Sequence, residues 1–145
     1  MSPTPLTGKR ILVTGAAGQI GTELVPALLE RYDGALVVAT DIRDAQPSLP
    51  EGARYERLDC TDAAACERVV AGNGIDTIYH LAAILSATGE RSPDKAWHVN
   101  MDGTFTILET ARAHGCAVFT PSSIAAFGPT TPPPPTPPAT QPPPP

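Results

Sequence analysis

Short apolar runs bounded by turn residues alternate along the chain with longer segments in which apolar residues recur every three or four positions. The short runs predict five β-strands, and the longer segments predict helices between them. Strands that alternate with helices indicate an α/β protein with a doubly wound parallel sheet and right-handed crossovers. The predicted strands cover residues 9–14, 35–40, 55–59, 75–81 and 117–120, and the predicted helices cover residues 19–32, about 61–71 and 93–114.

Two of the predicted helices carry local signals of their own. Pro26 lies inside the first helix, and because proline has no backbone N–H, we expect a bend or a local widening near Thr22. The third helix is predicted as one long segment with Ser92 as its N-cap and Gly115 just past its end. Its large apolar residues recur at helical spacing and are predicted to pack into the core: Trp97, Met101, Phe105 and Leu108.

Proline content predicts the domain boundaries. Of the 18 prolines, 11 lie in residues 129–145, a segment without charged residues. Proline breaks helices and central strands, so this segment is predicted to be an extended or disordered tail. Residues 1–8 are predicted to be a loose N-terminus. The remaining residues, 9–128, are predicted to form one folded domain.

Composition argues against several classes of function. The net charge of −5 and the absence of a basic cluster argue against a nucleic-acid partner, because phosphates need a cationic surface. The cysteines Cys60, Cys66 and Cys116 lack metal-ligand spacing, which indicates reduced thiols and no metal site. No apolar run approaches the roughly 20 residues of a membrane span, and nothing resembles a signal peptide. We therefore expect a soluble cytoplasmic protein that acts on a small molecule without contacting a membrane.

Three glycines join the first strand to the first helix. Gly15 permits a sharp turn, Gly18 lets the backbone approach a ligand, and Gly21 allows the helix to pack closely on the strand. The helix begins with Gln19 and Ile20, and its free N–H groups and positive dipole end suit a pyrophosphate. The spacing is G-x-x-G-x-x-G, not the common G-x-G-x-x-G, and a purely structural turn is the alternative interpretation.

Asp41 ends the second apolar run, twenty residues past Gly21. An acidic residue at this place can accept hydrogen bonds from a ribose and would repel a 2′-phosphate, which favours NAD over NADP. The alternative is a strand-end carboxylate that caps a turn. Arg43 could pair with a 2′-phosphate, although a solvated loop charge is the simpler interpretation. Strand, glycine turn, helix and acid in this order predict a Rossmann-type NAD-binding domain.

Further polar and small residues follow the predicted strands, where the ligand of such a sheet lies. Asp59 could accept from an adenine amino group while the Cys60 N–H donates to the ring, or Asp59 could cap the next helix. The small residues Ala82 and Ala83 after the fourth strand would let backbone run beside a cofactor, although core packing explains them nearly as well. Leu81, which precedes them, is also predicted to border the cofactor.

Four other polar residues have a predicted role: His80, Asn100, Ser122 and Ser123. His80 is predicted to be a hydrogen-bonded strand-end histidine rather than a catalytic base. Asn100 lies in the middle of a predicted helix, where an amide usually has a tertiary role, and it could hold the backbone after strand four or five. Ser122 and Ser123 follow the fifth strand, and either hydroxyl could donate to a substrate oxygen as charge develops there.

With these motifs, residues 9 to about 132 resemble the extended short-chain dehydrogenase/reductase superfamily. More narrowly, Leu81–Glu90 and Pro121–Pro129 are similar to the short-chain type of L-threonine 3-dehydrogenase. The resemblance implies hydride transfer from Cβ of L-threonine to NAD, giving 2-amino-3-oxobutanoate. It assigns the catalytic serine to Ser123, the loop facing the amino acid to the region of Ser86, and the pyrophosphate, ribose and adenine contacts to the residues named above. It also implies a homodimer formed through the helices after strands four and five.

One departure from this family bears on activity. The family's Tyr-x-x-x-Lys pair is absent, since none of the three tyrosines has a lysine four residues on, and the resemblance places that tyrosine just past Pro145. We therefore interpret residues 133–145 as a diverged loop and the chain as an N-terminal piece that is inactive alone, with an exposed apolar patch where the dimer surface is incomplete. Two alternatives stay open: an NAD-dependent nucleotide-sugar epimerase or dehydratase, and a non-catalytic nucleotide-binding protein whose proline-rich tail binds SH3- or WW-type domains.

Overall fold

A computed structural model describes residues 8–44 and 49–123. The strands are β1 (Arg10–Thr14), β2 (Leu36–Asp41), β3 (Ala53–Arg57), β4 (Thr77–His80) and β5 (Ala117–Phe119). The helices are α1 (Gln19–Arg31), α2 (Ala63–Asn73), α3 (Ser86–Gly89), α4 (Pro93–Trp97) and α5 (Gly103–His114), and a π-helical turn, His98–Asp102, joins α4 to α5. Among the helices described, none is long and apolar enough to cross a membrane.

The five strands form one parallel sheet in the order β3-β2-β1-β4-β5. The chain moves outward from β1 to β3 and then returns to the other side of β1 to form β4 and β5. This reversal produces a cleft at the carboxyl ends of β1 and β4, where Thr14 pairs with His80. The predicted doubly wound fold is confirmed, and the cleft is where such a fold binds its ligand.

The core lies in two layers, one on each face of the sheet. Alternate residues of β1 serve the two layers: Ile11 and Val13 face α1, whereas Leu12 faces α2 and α5. Because β1 is buried on both faces, its middle residues, Ile11 to Val13, are continuously apolar rather than alternating. The side chains that fill the layers include Val25, Leu28 and Val37 on the first face and Val38, Val70, Ile78 and Ile107 on the second.

The prediction that the large apolar residues after Ser92 pack into the core is wrong. Trp97, Met101, Phe105 and Leu108 are 65%, 52%, 66% and 45% exposed. The opposite face of α5 is the buried one, with Gly103, Ile107, Thr110 and Ala111. Small residues on that face allow the helix to approach the sheet closely, so the larger side chains are left outside. We call these four outward residues the exposed stripe. That a dimer surface is incomplete here stays a prediction.

Other boundaries also differ from the predictions. The single helix predicted over residues 93–114 is three segments, because its middle turn is π-helical. Strand β3 occupies Ala53–Arg57 and not residues 55–59, and the short helix α3 was not predicted. Helix α1 continues through Pro26. The proline-rich tail lies outside the described residues, and the division at residues 8 and 128 stays a prediction.

Candidate functional site

The glycine turn leaves no room for side chains where the chain comes close to its neighbours. Gly15 has φ +68°, and a Cβ there would lie 2.7 Å from the backbone N of Ala82. A Cβ at Gly21 would lie 2.5 Å from Cα of Ala16. Both distances are well inside van der Waals contact with backbone atoms that cannot move away. The predicted roles of these two glycines are therefore steric requirements of the fold.

The start of α1 opens toward the cleft. Its N-cap is Gly18, which provides no side-chain cap, and the first N–H groups of a helix have no intrahelical partner. Gln19 and Ile20 both have exposed side chains. Uncapped N–H groups at the positive end of a helix dipole are suited to an anionic ligand such as a pyrophosphate.

Asp41 is buried beside this turn and is bound to it. The carboxylate is in a residue only 7% exposed, and Oδ2 accepts a hydrogen bond of 3.2 Å from the N–H of Ala17. Its Oδ1 accepts from the N–H of Arg43 at 3.2 Å. The acid therefore anchors the glycine turn, and its position at the mouth of the turn is also the one from which a carboxylate accepts ribose hydroxyls.

Arg43 lies beside the glycine turn, and its side chain contacts both the turn and Asp41. Its Nη1 donates to the carbonyl of Ala17 at 2.9 Å, and its Nε is 3.6 Å from Oδ1 of Asp41. The side chain is nevertheless 62% exposed, so the pair adds little to stability. Arg43 thus lies at the edge of the site, next to Asp41.

Asp59 and Cys60 form the loop between β3 and α2. The Oδ1 atom of Asp59 accepts from the N–H of Thr61 at 3.0 Å and from its hydroxyl at 2.7 Å, and these bonds to Thr61 lower the pKa of the Asp59 carboxyl. The alternative that Asp59 caps α2 is wrong, because the cap is Asp62, which accepts from the N–H of Ala65. Asp59 therefore keeps an exposed carboxylate at the carboxyl edge of the sheet.

The thiol of Cys60 is part of the packing. Burial raises its pKa to about 11, so the thiol is neutral at physiological pH. A Cβ on Gly103 would lie 2.8 Å from the Cys60 Sγ, which shows how closely α5 approaches this loop. The side chain of Cys60 is thereby excluded as a reactive group, and its backbone is the part available to a ligand.

His80 is buried at the end of β4 and has a partner on each ring nitrogen. It is 3% exposed; Nδ1 is 2.7 Å from Oγ1 of Thr14, and Nε2 is 3.2 Å from Oγ1 of Thr104. Desolvation lowers the pKa of the imidazole below its ordinary value of 6.5. The prediction of a hydrogen-bonded strand-end histidine is confirmed.

The segment after β4 forms the wall opposite the glycine turn. The N–H groups of Leu81 and Ala82 reach Oγ1 of Thr14 at 3.2 and 3.3 Å, so this segment lies directly against Gly15. Ala83 is exposed just beyond them. Small residues here leave the backbone itself as the surface that a ligand would meet.

Asn100 holds the same segment from the other side. Its Oδ1 accepts from the N–H of Ile84 at 2.7 Å, and its Nδ2 donates to the carbonyl of Ile84 at 3.0 Å. The expectation that this amide holds backbone after β4 is confirmed. A direct contact between Asn100 and a cofactor stays a prediction.

The two serines predicted to contact substrate lie at the ends of short elements. Ser123 follows β5 and is exposed, and Ser86 begins α3, with its side chain outside the description. No cluster of metal-ligating side chains occurs within residues 8–44 and 49–123. The described part of the site is therefore a cleft lined by backbone groups and by the carboxylates of Asp41 and Asp59, and contact of the two serines with a substrate stays a prediction.

Comparison with known proteins assigns this cleft to a family. The model of the family described as "NAD dependent epimerase/dehydratase family" matches residues 11–145. The chain belongs to the NAD-dependent epimerase/dehydratase family. The description confirms NAD as the cofactor. The cleft fits NAD, because three features meet at its entrance: the glycine turn, whose glycines form a cradle without Cβ atoms, the uncapped start of α1, and the buried Asp41.

A curated relative and two solved structures show how this family member compares. A Staphylococcus epidermidis protein named "uncharacterized epimerase/dehydratase" is 49% identical over 125 residues, which are 86% of this chain and 39% of the relative. The holo form of a GalE-like L-threonine dehydrogenase from Cupriavidus necator is 48% identical with a TM-score of 0.76, over 85% of this chain and 40% of that one. A monomeric L-threonine 3-dehydrogenase from a metagenome is 46% identical with a TM-score of 0.75, over 84% and 39%. The chain thus spans about 39% of the length of the curated relative.

Two residues of the site escaped the sequence analysis: Thr14 and Thr104. Thr14 ends an otherwise apolar strand at the carboxyl edge of the sheet, which is a signal that could have singled it out. Thr104 lies four residues after Asn100 and therefore on the same face of the helix. Its role depends on where β4 ends in space, which the sequence pattern does not encode.

Proposed function

We propose that this chain supplies the NAD-binding part of an oxidoreductase that transfers hydride from Cβ of L-threonine to NAD. The observation that carries the proposal is the cradle between β1 and α1, together with the likeness of this same region to L-threonine dehydrogenases. When bound, NAD supplies the hydride acceptor.

Each wall of the cleft has a part in the proposed complex. Gly15, Gly18, Gly21 and the first N–H groups of α1, at Gln19 and Ile20, would hold the pyrophosphate. Asp41 would accept from the ribose, with Arg43 beside it, and Asp59 and the N–H of Cys60 would contact the adenine. The backbone of Leu81, Ala82 and Ala83, held by Asn100, would border the cofactor on the other side.

Ser123 is the proposed catalytic residue of this chain. Its hydroxyl would donate a hydrogen bond to the substrate oxygen as negative charge develops there, and Ser86 would contact the amino acid. A Tyr-x-x-x-Lys pair, which would accept the hydroxyl proton in the resembling dehydrogenases, does not occur in the sequence. We therefore propose that the chain binds NAD and does not oxidise L-threonine by itself.

Calorimetric titration of the 145-residue chain with NAD and NADP tests the cofactor part. We expect saturable binding that is at least about tenfold tighter for NAD, and a loss of about tenfold in Asp41→Asn, which removes one charge-assisted hydrogen bond. Asp44→Asn is the matched control, because Asp44 is also acidic and near the turn, but its side chain is 90% exposed and pairs with Arg57. Equal affinity for both cofactors, or no binding by a folded chain, would contradict the proposal.

A second candidate is an NAD-dependent epimerase or dehydratase of nucleotide sugars. The family description and the name of the Staphylococcus epidermidis relative both favour this class. Titration of the NAD-loaded chain with L-threonine and with a UDP-sugar separates the two. Binding of L-threonine that Ser123→Ala weakens supports the first candidate, and binding of the UDP-sugar alone supports the second.

We also propose that the longer protein is a homodimer in the cytoplasm. The exposed stripe supports this, because large apolar patches on a surface usually mark a contact. Sedimentation velocity over a range of concentrations is the test. A chain that stays monomeric at all concentrations, with a stripe variant such as Phe105→Ser behaving identically, would contradict the use of the stripe as a contact.

A further inference from the structure

His80 lies behind the cleft wall and is absent from the proposed set of cofactor and substrate contacts. Its two ring nitrogens connect Thr14 of β1 to Thr104 of α5. The neighbouring hydrogen-bonding groups determine which acceptor each threonine hydroxyl proton can reach. Counting donors and acceptors therefore fixes the protonation of the ring.

The hydroxyl of Thr104 has a single proton to donate. Its Oγ1 is 2.7 Å from the carbonyl oxygen of Asn100, and because a carbonyl only accepts, the single hydroxyl proton points there. Toward Nε2 of His80, at 3.2 Å, Oγ1 of Thr104 is then an acceptor. Nε2 must therefore carry a hydrogen.

The other nitrogen follows from the first. In a neutral imidazole with a hydrogen on Nε2, Nδ1 is an acceptor, so the hydroxyl of Thr14 donates to it across 2.7 Å. The remaining lone pairs of Thr14 are then left for the N–H groups of Leu81 and Ala82. This arrangement gives a partner to every group that links Ala82, Thr14, His80, Thr104 and Asn100. A hydrogen on Nδ1 would instead leave the hydroxyl proton of Thr14 without its acceptor.

We propose that His80 is a positioning residue that acts as a neutral, Nε2-protonated bridge and sets the width of the cofactor cleft. Through Thr14 it holds the Leu81–Ala82 backbone against the glycine turn. Through Thr104 it holds the carbonyl of Asn100, whose side-chain amide clamps Ile84 further along the same wall. The π-helical turn ends where α5 begins, one residue before Thr104, so the bridge also fixes the irregular part of that helix to the sheet.

Nitrogen-15 NMR of the imidazole in the free 145-residue chain at neutral pH tests the tautomer directly. We expect the His80 spectrum of a neutral ring with a hydrogen on Nε2. A ring with its hydrogen on Nδ1, or a positively charged ring, would overturn the proposal. Because this measurement uses the unmodified chain, it decides the question even if a variant fails to fold.

Amide hydrogen exchange in a matched set of threonine variants tests the positioning. Thr104→Val removes the hydroxyl, and we expect the amides of Leu81 and Ala82 to exchange about tenfold faster, the effect of roughly one hydrogen bond. Thr104→Ser restores the hydroxyl and should restore protection. Thr110→Val is the control, because Thr110 donates the same kind of bond to the carbonyl four residues back, at 2.9 Å, without contacting His80. Equal effects of Thr104→Val and Thr110→Val would overturn the proposal.

The consequence for the cofactor rests on the proposed function. If the chain binds NAD, Thr104→Val should weaken binding several-fold and Thr104→Ser should not. If the unmodified chain binds no NAD, the cofactor proposal fails, whereas the tautomer and the exchange rates still decide the role of His80. Unchanged NAD affinity in a folded Thr104→Val chain, with binding intact in the unmodified one, would show that the bridge does not shape the cleft.

Discussion

The two sides of the helical unit formed by α4, the π-helical turn and α5 reverse the usual distribution of residue types. The inward side meets the cleft with the polar residues Asn100 and Thr104, and it packs with Gly103 and Ala111. The outward side carries the exposed stripe, which contains some of the largest apolar side chains of the chain. Close approach requires small residues, and a fixed hydrogen-bond geometry requires polar ones. Apolar size is therefore a poor guide to which side of this unit is buried.

The largest expected loss of stability concerns the contact between the two walls of the cleft, where Gly15 meets the backbone of Ala82. Gly15→Ala should destabilise the chain by about 4 kcal/mol in urea unfolding, because a positive φ and a clash with immobile backbone add together. Gly34→Ala is the matched control, since its φ is +67° against +68° for Gly15 and nothing lies within 4 Å of its Cβ position. That control should lose only about 1 kcal/mol, the strain alone. Equal losses in the two variants would mean that the walls are not in close contact.

The second prediction compares the two sides of α5 directly. Ile107, fully buried, should cost about 3 kcal/mol when replaced by Ala, through lost burial and a cavity. Phe105, which is 66% exposed, should cost within about 0.5 kcal/mol when replaced by Ala, despite its larger side chain. Urea unfolding at low protein concentration is the measurement. A loss at Phe105 that matches the loss at Ile107 would show that the stripe is covered in solution.

The sequence predicts well those features of the structure that depend on local residue patterns. The five strands of the doubly wound parallel sheet follow from periodicity. The glycine turn follows from Gly15 and Gly21, where local geometry determines the residue type. The acid at Asp41 was also predicted at the right edge of the sheet. All of these depend on neighbours along the chain or on a rule of the fold as a whole.

What the sequence does not predict depends on distances between elements that are far apart in the chain. The pattern left Asp59 undecided between a cofactor contact and a helix cap, and the cap proved to be Asp62. The π-helical turn and the clamp on Ile84 require the end of β4 to lie beside Asn100, which no local spacing encodes. The buried face of α5 was misassigned because its small residues contribute little to an apolar pattern.

The smallest expected effect is a loss of folding stability at low pH that depends on His80. Within the part of the chain that the structure describes, the ring nitrogens of His80 face only the hydroxyls of Thr14 and Thr104. The lowered pKa of the buried ring means that the folded chain resists its protonation. Below the ordinary value of 6.5 the unfolded chain binds a proton that the folded chain refuses. Stability from this residue is therefore complete above that pH and is lost as the pH falls through it, by at most about 1.4 kcal/mol per pH unit.

Urea unfolding at pH 7 and pH 5 measures this loss, with His80→Asn as the comparison, because asparagine does not titrate. The variant should be less stable than the unmodified chain at pH 7 but should lose less between the two pH values. The lowered pKa values of the Asp59 and Asp76 carboxyls place their losses of stability below the ordinary value of 3.8, outside this window. Equal slopes in the two chains would mean that the folded chain binds a proton at His80 as readily as the unfolded chain. The polar side of the helical unit would then not require a neutral ring to hold the cleft.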